Sequence, residues 1–134
     1  MRVALLGLLV SSSIASVTDC SNGGSLFTLT SMSFSPDPTV PGENSTLLLS
    51  MTVPQEITGG TATYSTTYNF IPFSPTVEPL CDTTVACPIQ LGTLDTISSF
   101  PVDPTLSGSL SIRIEWKDPN AIQLLCVAIK TKVG

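Results

Sequence analysis

The nine residues Gly108–Trp116 read GSLSIRIEW, and their alternation decides the fold class. Leu110, Ile112, Ile114 and Trp116 fall on one side, Ser109, Ser111, Arg113 and Glu115 on the other. Successive side chains of an extended strand point to opposite faces, so this pattern predicts a strand with one face in a core and one in water.

The same period of two recurs along the chain. Ser45–Val53 places Leu47, Leu49, Met51 and Val53 on one face, and Thr61–Phe70 does so with Ala62, Tyr64, Thr66, Tyr68 and Phe70. Leu26–Phe34 and Ala121–Val133 complete the set, with a weaker strand around Ile97–Val102. No stretch keeps a helical period for three turns. Turn signals separate the strands: Ser35-Pro36-Asp37-Pro38 with Pro41-Gly42-Glu43, then Gly59-Gly60, then Lys117-Asp118-Pro119-Asn120. Six or seven short strands at this spacing predict an all-β fold, an antiparallel sandwich of two sheets. An immunoglobulin domain proper fits badly. Its tryptophan lies between the bridged cysteines on an earlier strand, with a tyrosine two residues before the second cysteine. Here Trp116 sits across the last hairpin from Cys126, and position 124 is Leu.

The chain opens with Arg2, an apolar run from Val3 to Val10, and small residues from Ser11 to Ser16. That order describes a secretory signal peptide over residues 1–15, with Ser13 and Ala15 suiting a cut after Ala15. The apolar run is short of the roughly 20 residues a bilayer span needs. Its removal leaves one domain, residues 16–134, in which Arg113, Lys117, Lys130 and Lys132 face ten acidic residues, a net charge of −6. That balance argues against nucleic acid, which needs a basic footprint, and against purely electrostatic adhesion to anionic membranes.

Four cysteines in a small secreted domain predict two disulfides. Sequence alone permits three pairings; Cys81 with Cys87 is the natural local pair, leaving Cys20 with Cys126. A zinc site lacks support, because the chain has no histidine and no C-x2-C spacing. The stretch Ile71–Pro88, IPFSPTVEPLCDTTVACP, joins a proline-broken apolar segment to the Cys81–Cys87 loop. A tied loop beside exposed aromatic surface is a means of holding open a mouth between two sheets. Phe73 stands between Pro72 and Pro75, so its backbone is extended and outside any central strand.

In order, Cys20, Phe27-Thr-Leu-Thr-Ser, Ser35-Pro-Asp-Pro, Pro41-Gly42, Pro72-Phe73, Cys81-x5-Cys87-Pro88-Ile89, Phe100-Pro101-Val102, Ile114-Glu115-Trp116 and Leu125-Cys126 form a series. With it the mature chain resembles the ML family of lipid-recognition proteins, nearest to its phosphatidylglycerol/phosphatidylinositol transfer proteins. The resemblance implies an immunoglobulin-like sandwich splayed around an internal lipid cavity, and the pairings Cys20–Cys126 and Cys81–Cys87. The chain departs from the sterol-carrying Niemann-Pick type C branch in having no cysteine between Cys20 and Cys81, which weakens any transfer of sterol specificity. Carried over by motif, the cavity-mouth positions of that branch are Ile71, Phe73 and Val102, with Leu106 a looser match. Phe70, on the strand face of Tyr68, and Trp116, able to serve packing and ligand together, complete the candidate lipid-binding set.

Each of these has an ordinary reading. Phe73 could instead be a core side chain under a loop, though the lipid role is favoured; Trp116 and its stripe are ordinary packing, and Tyr64 and Tyr68 are ordinary strand tyrosines. Lys130 and Lys132 share a strand face and suit a solvated strand end better than an anionic headgroup. Asn44-Ser45-Thr46 is an N-glycosylation acceptor. Without histidine the usual proton shuttle near neutral pH is missing, and no nucleophile elbow or phosphate loop occurs, so an enzyme is not expected. No cofactor is expected either. The expected function is a monomeric secretory-pathway carrier, extracellular or in a vacuolar or lysosomal lumen, that holds a phospholipid or sterol and touches membranes transiently. The rival is an extracellular or particle-surface adhesion sandwich without a ligand.

Overall fold

The computed structural model describes residues 16–36, 39–81 and 85–133. The expected leader, residues 1–15, lies outside them, as do Asp37 and Pro38 of the proline-stiffened connection and residues 82–84 of the short cysteine loop.

Nine strands are described: β1 (Ser16–Asp19), β2 (Thr28–Ser35), β3 (Ser45–Val53), β4 (Thr61–Tyr68), β5 (Ile71–Pro72), β6 (Thr76–Pro79), β7 (Gly92–Phe100), β8 (Gly108–Lys117) and β9 (Gln123–Val133). They form two antiparallel sheets. The larger runs β1-β9-β8-β4, with β5 and β6 pairing in tandem along the free side of β4; the smaller runs β2-β3-β7. The domain is the expected all-β sandwich. The inward face of β8 is the expected one, with Ile112, Ile114 and Trp116 buried and Leu110 partly so. From the facing sheet, β3 buries Leu47, Leu49, Met51 and Val53. Phe27 meets Trp116 edge to face, ring centroids 6.5 Å apart.

Three differences from the sequence reading have physical causes. Strand β7 is nine residues long rather than a weak Ile97–Val102 piece. Its inward positions Leu94, Thr96, Ser98 and Phe100 include two hydroxyls, which blur the apolar alternation. Strand β4 ends at Tyr68 and not at Phe70. Asn69 and Phe70 both take positive φ, 49° and 69°, forming the two-residue turn into β5. Finally, β1, β5 and β6 are too short to carry a periodic signal.

Both disulfides are present, Cys20–Cys126 and Cys81–Cys87. The first fastens β1 to β9, beside a Cys20 amide that donates to the Cys126 carbonyl. The second corrects an expectation. It does not lie beside Phe73. From Tyr64 to Thr61, β6 runs antiparallel along β4, carrying the chain away from Phe73 toward Gly60 before Cys81. A strand rises about 3.3 Å per residue, so the Cys81–Cys87 link lies toward the opposite end of the sandwich.

Candidate functional site

The register of the sheets defines one open end. Tyr68 of β4 stands opposite Leu110 of β8. In the other sheet Ser45 stands opposite Phe100. Between these strand ends lies a hollow of about 210 Å³. Sheet β2-β3-β7 contributes Phe34, Ser45 and Phe100 to its wall; the larger sheet contributes Thr66, Tyr68, Leu110 and Ile112. The connections supply Phe73, Pro101, Val102 and Leu106. No carboxylate, amine or thiol is among these residues; their polar groups are the hydroxyls of Ser45, Thr66 and Tyr68.

A strap, residues 101–107, crosses this end and carries Val102 and Leu106. On one side the Gly42 amide donates to the Val102 carbonyl at 2.9 Å. On the other, the Tyr68 hydroxyl donates to the Ser107 carbonyl at 2.5 Å and accepts from the Ser107 amide at 2.9 Å. The Asn69 carboxamide donates to the same carbonyl and accepts from the Ser109 amide. A Cβ on Gly108 would overlap that carboxamide, and its φ is +114°, so this close approach requires glycine. Within the strap, Asp103 accepts hydrogen bonds from the Thr105 hydroxyl and amide, which hold its carboxyl below the usual carboxylate value.

Of the six residues singled out as lipid contacts, Phe73, Val102 and Leu106 come together on the hollow. Val102 is buried and Phe73 is half exposed at the opening. Phe70 and Ile71 are not on the wall; they form an exposed tip beyond it, Phe70 being 88% accessible. The turn turns Phe70 outward, because its positive φ breaks the strand alternation that would have placed it beside Tyr68. Trp116 lies three inward positions below Leu110 along β8, buried against Phe27 rather than on the hollow. Lys130 and Lys132 project from the outer face of β9, paired with Ser111 and Ser109 of β8. Asn44 is exposed immediately before β3.

The sequence does not single out Phe34, Ser45, Thr66, Phe100, Pro101, Leu110 or Ile112 as wall residues. The parity of β3 was a usable signal for Ser45: it shares its face with Leu47, Leu49 and Met51.

The ML domain profile matches residues 15–133. A protein called "Putative phosphatidylglycerol/phosphatidylinositol transfer protein 1" in Dictyostelium discoideum is 28% identical over 118 residues, covering 86% of this chain and 78% of its own. Among solved structures, a Niemann-Pick type C2 protein from the Japanese carpenter ant superposes with a TM-score of 0.68 at 17% identity, over 89% of this chain and 99% of that one. Chicken MD-1 complexed with lipid IVa gives 0.63 at 15% identity, over 88% of each. These two likenesses concern the fold. With the profile spanning all but the first residues and the last, the chain belongs to the ML-domain family.

Proposed function

We propose that the protein is a lipid carrier that takes an apolar chain between its two sheets at the Tyr68–Phe73 end. The observation that carries this reading is the hollow itself: an apolar pocket within the sandwich, in a chain of the ML-domain family, closed by a hydrogen-bonded strap. The name of its relative, a phosphatidylglycerol/phosphatidylinositol transfer protein, favours a phospholipid as guest, and the motif resemblance to the Niemann-Pick type C branch keeps a sterol beside it.

The driving force is removal of hydrocarbon from water, roughly 0.8 kcal/mol per buried CH₂, or about 12 kcal/mol gross for sixteen carbons. Ordering the guest and the wall lowers the net figure. At about 210 Å³ the hollow is smaller than the roughly 300–1,000 Å³ of pockets that enclose drug-sized ligands. Loading therefore requires side chains to move aside. The wall residues on connections, Phe73, Val102 and Leu106, move at less cost than Phe34 or Ile112, which are held in strand ladders. The exposed Phe70–Ile71 tip stands next to this opening and suits brief contact with a membrane during exchange. No chemical turnover is required, and the carrier acts as a monomer without a cofactor.

Cleavage after Ala15 makes Ser16, the first residue of β1, the new N-terminus in an oxidising compartment where both disulfides persist. Asn44 is accessible to glycosylation there.

Native mass spectrometry of protein from a secretory host, followed by uptake of fluorescent phosphatidylglycerol, phosphatidylinositol and a sterol, tests the reading. A bound lipid, with uptake lost in Phe73→Asp while the circular dichroism is unchanged, supports it. A ligand-free protein that takes up none of the three supports a ligandless adhesion sandwich instead.

A further inference from the structure

The wall of the hollow contains one group out of keeping with the rest. Ser45 is fully buried, and its Oγ has no hydrogen-bond partner among the described residues. It is the first residue of β3, on the same inward face as Leu47, Leu49, Met51 and Val53, and it borders the hollow at the strap end, its hydroxyl covered until neighbouring side chains move aside for a guest. Ring neighbours Phe34 and Phe100 lie in the same wall, 6.4 Å apart, and offer no acceptor. A hydroxyl left unpaired in an apolar interior is costly, whereas alanine at such a position is close to neutral or stabilising. An orphan of this kind in a native fold calls for an explanation.

We propose that the Ser45 hydroxyl hydrogen-bonds an oxygen at the head of the guest's apolar body, the carbonyl of an acyl ester, and so selects ester lipids over ether-linked ones. The inference rests on the lipid-carrier reading. Position is the argument for an ester. Ser45 sits at the strap end, where a chain inserted tail first leaves the atoms that link it to its headgroup. In an acylglycerol the first oxygen above the chain is the ester carbonyl, a good acceptor for a serine donor. A sterol hydroxyl at the same depth offers the same hydrogen-bonding chemistry, and the experiment separates the two sources.

The test compares binding of matched guests by the full secreted protein and by Ser45→Ala. One pair is diester and diether phosphatidylglycerol with identical chains; the other is cholesterol and its 3-deoxy hydrocarbon. Ser45→Ala keeps an Asn-x-Thr acceptor at Asn44, so glycosylation is not a variable. The expected result is that wild type binds the diester about tenfold more tightly than the diether, one net hydrogen bond's worth of affinity. In Ser45→Ala that preference falls to near unity while diether affinity is unchanged. The ligand-free variant melts no lower than wild type, which a merely structural serine would not predict. A preference lost only in the sterol pair reassigns the oxygen to a hydroxyl and overturns the ester assignment. Equal preferences in wild type and variant for both pairs overturn a role for Ser45. If wild type binds none of the four guests, the carrier reading itself fails.

Discussion

The Tyr68 hydroxyl and the Ser107 backbone form a reciprocal pair: the phenol donates to the Ser107 carbonyl at 2.5 Å and accepts from its amide at 2.9 Å. Tyr68 thus belongs both to the wall of the hollow and to the fastening of the strap that covers it. Tyr68→Phe keeps the ring in the wall and deletes the fastening. The expected stability loss is about 1 kcal/mol, since the pair is exposed. Fluorescent lipid should dissociate several-fold faster at nearly unchanged capacity. An unchanged dissociation rate in stopped-flow transfer would show that the strap does not control release.

The two disulfides separate stability from access. On the chain-entropy account, the Cys20–Cys126 link, with a sequence separation of 106, contributes roughly 4–5 kcal/mol, and the link with a separation of 6 contributes about half as much. Replacing Cys81 and Cys87 together with Ala should lower the denaturant midpoint and leave lipid exchange rates as they were, because that link lies toward the far end. Altered exchange at constant stability would place the loop back at the mouth.

Trp116 is packing and not pocket. Trp116→Ala should cost about 3–5 kcal/mol. Trp116→Phe should restore much of that and bind lipid as wild type does, by urea titration and fluorescent uptake. Lost uptake in the folded Phe variant would extend the guest site to the Phe27 contact.

Asp103 gives the strap a pH limit. Hydrogen bonds from Thr105 lower its carboxyl below the ordinary value of 3.8, so the unfolded chain takes up the proton first as pH falls. The carboxylate's contribution is therefore complete above that ordinary value and is lost as pH drops through the folded one. Release rates should be flat from neutral pH to about pH 5 as far as Asp103 is concerned. Strap loosening at lower pH should be absent in Asp103→Asn, whose rate is already raised at pH 7. A wild-type rate that rises between pH 7 and 5 and still rises in Asp103→Asn would assign the effect to another group.

Much of the sandwich was legible because burial imposes a period of two. Leu110, Ile112, Ile114 and Trp116 announce their face, and β3 was read to its ends. Strand β7 was half hidden because Thr96 and Ser98 point inward; polarity at a buried position is a tertiary fact. Phe70 escapes the strand pattern because nothing local distinguishes the last strand residue from the second residue of a turn, and an aromatic at positive φ is rare. The short disulfide pairs as its spacing suggests but lies away from Phe73. Adjacency in sequence to Phe73 does not give adjacency in space, because β6 turns the chain away. Phe73, Val102 and Leu106 converge through a register that a single sequence does not display.

The most direct test is where a bound chain lies. In protein loaded with a protonated phospholipid and labelled only at Ile, Leu and Val methyls, nuclear Overhauser contacts should join acyl protons to Val102, Leu106, Leu110 and Ile112, and not to Leu124 or Val127. Contacts confined to the outward Leu48 and Ile97, or none at all in a saturated sample, would contradict a guest held between the sheets.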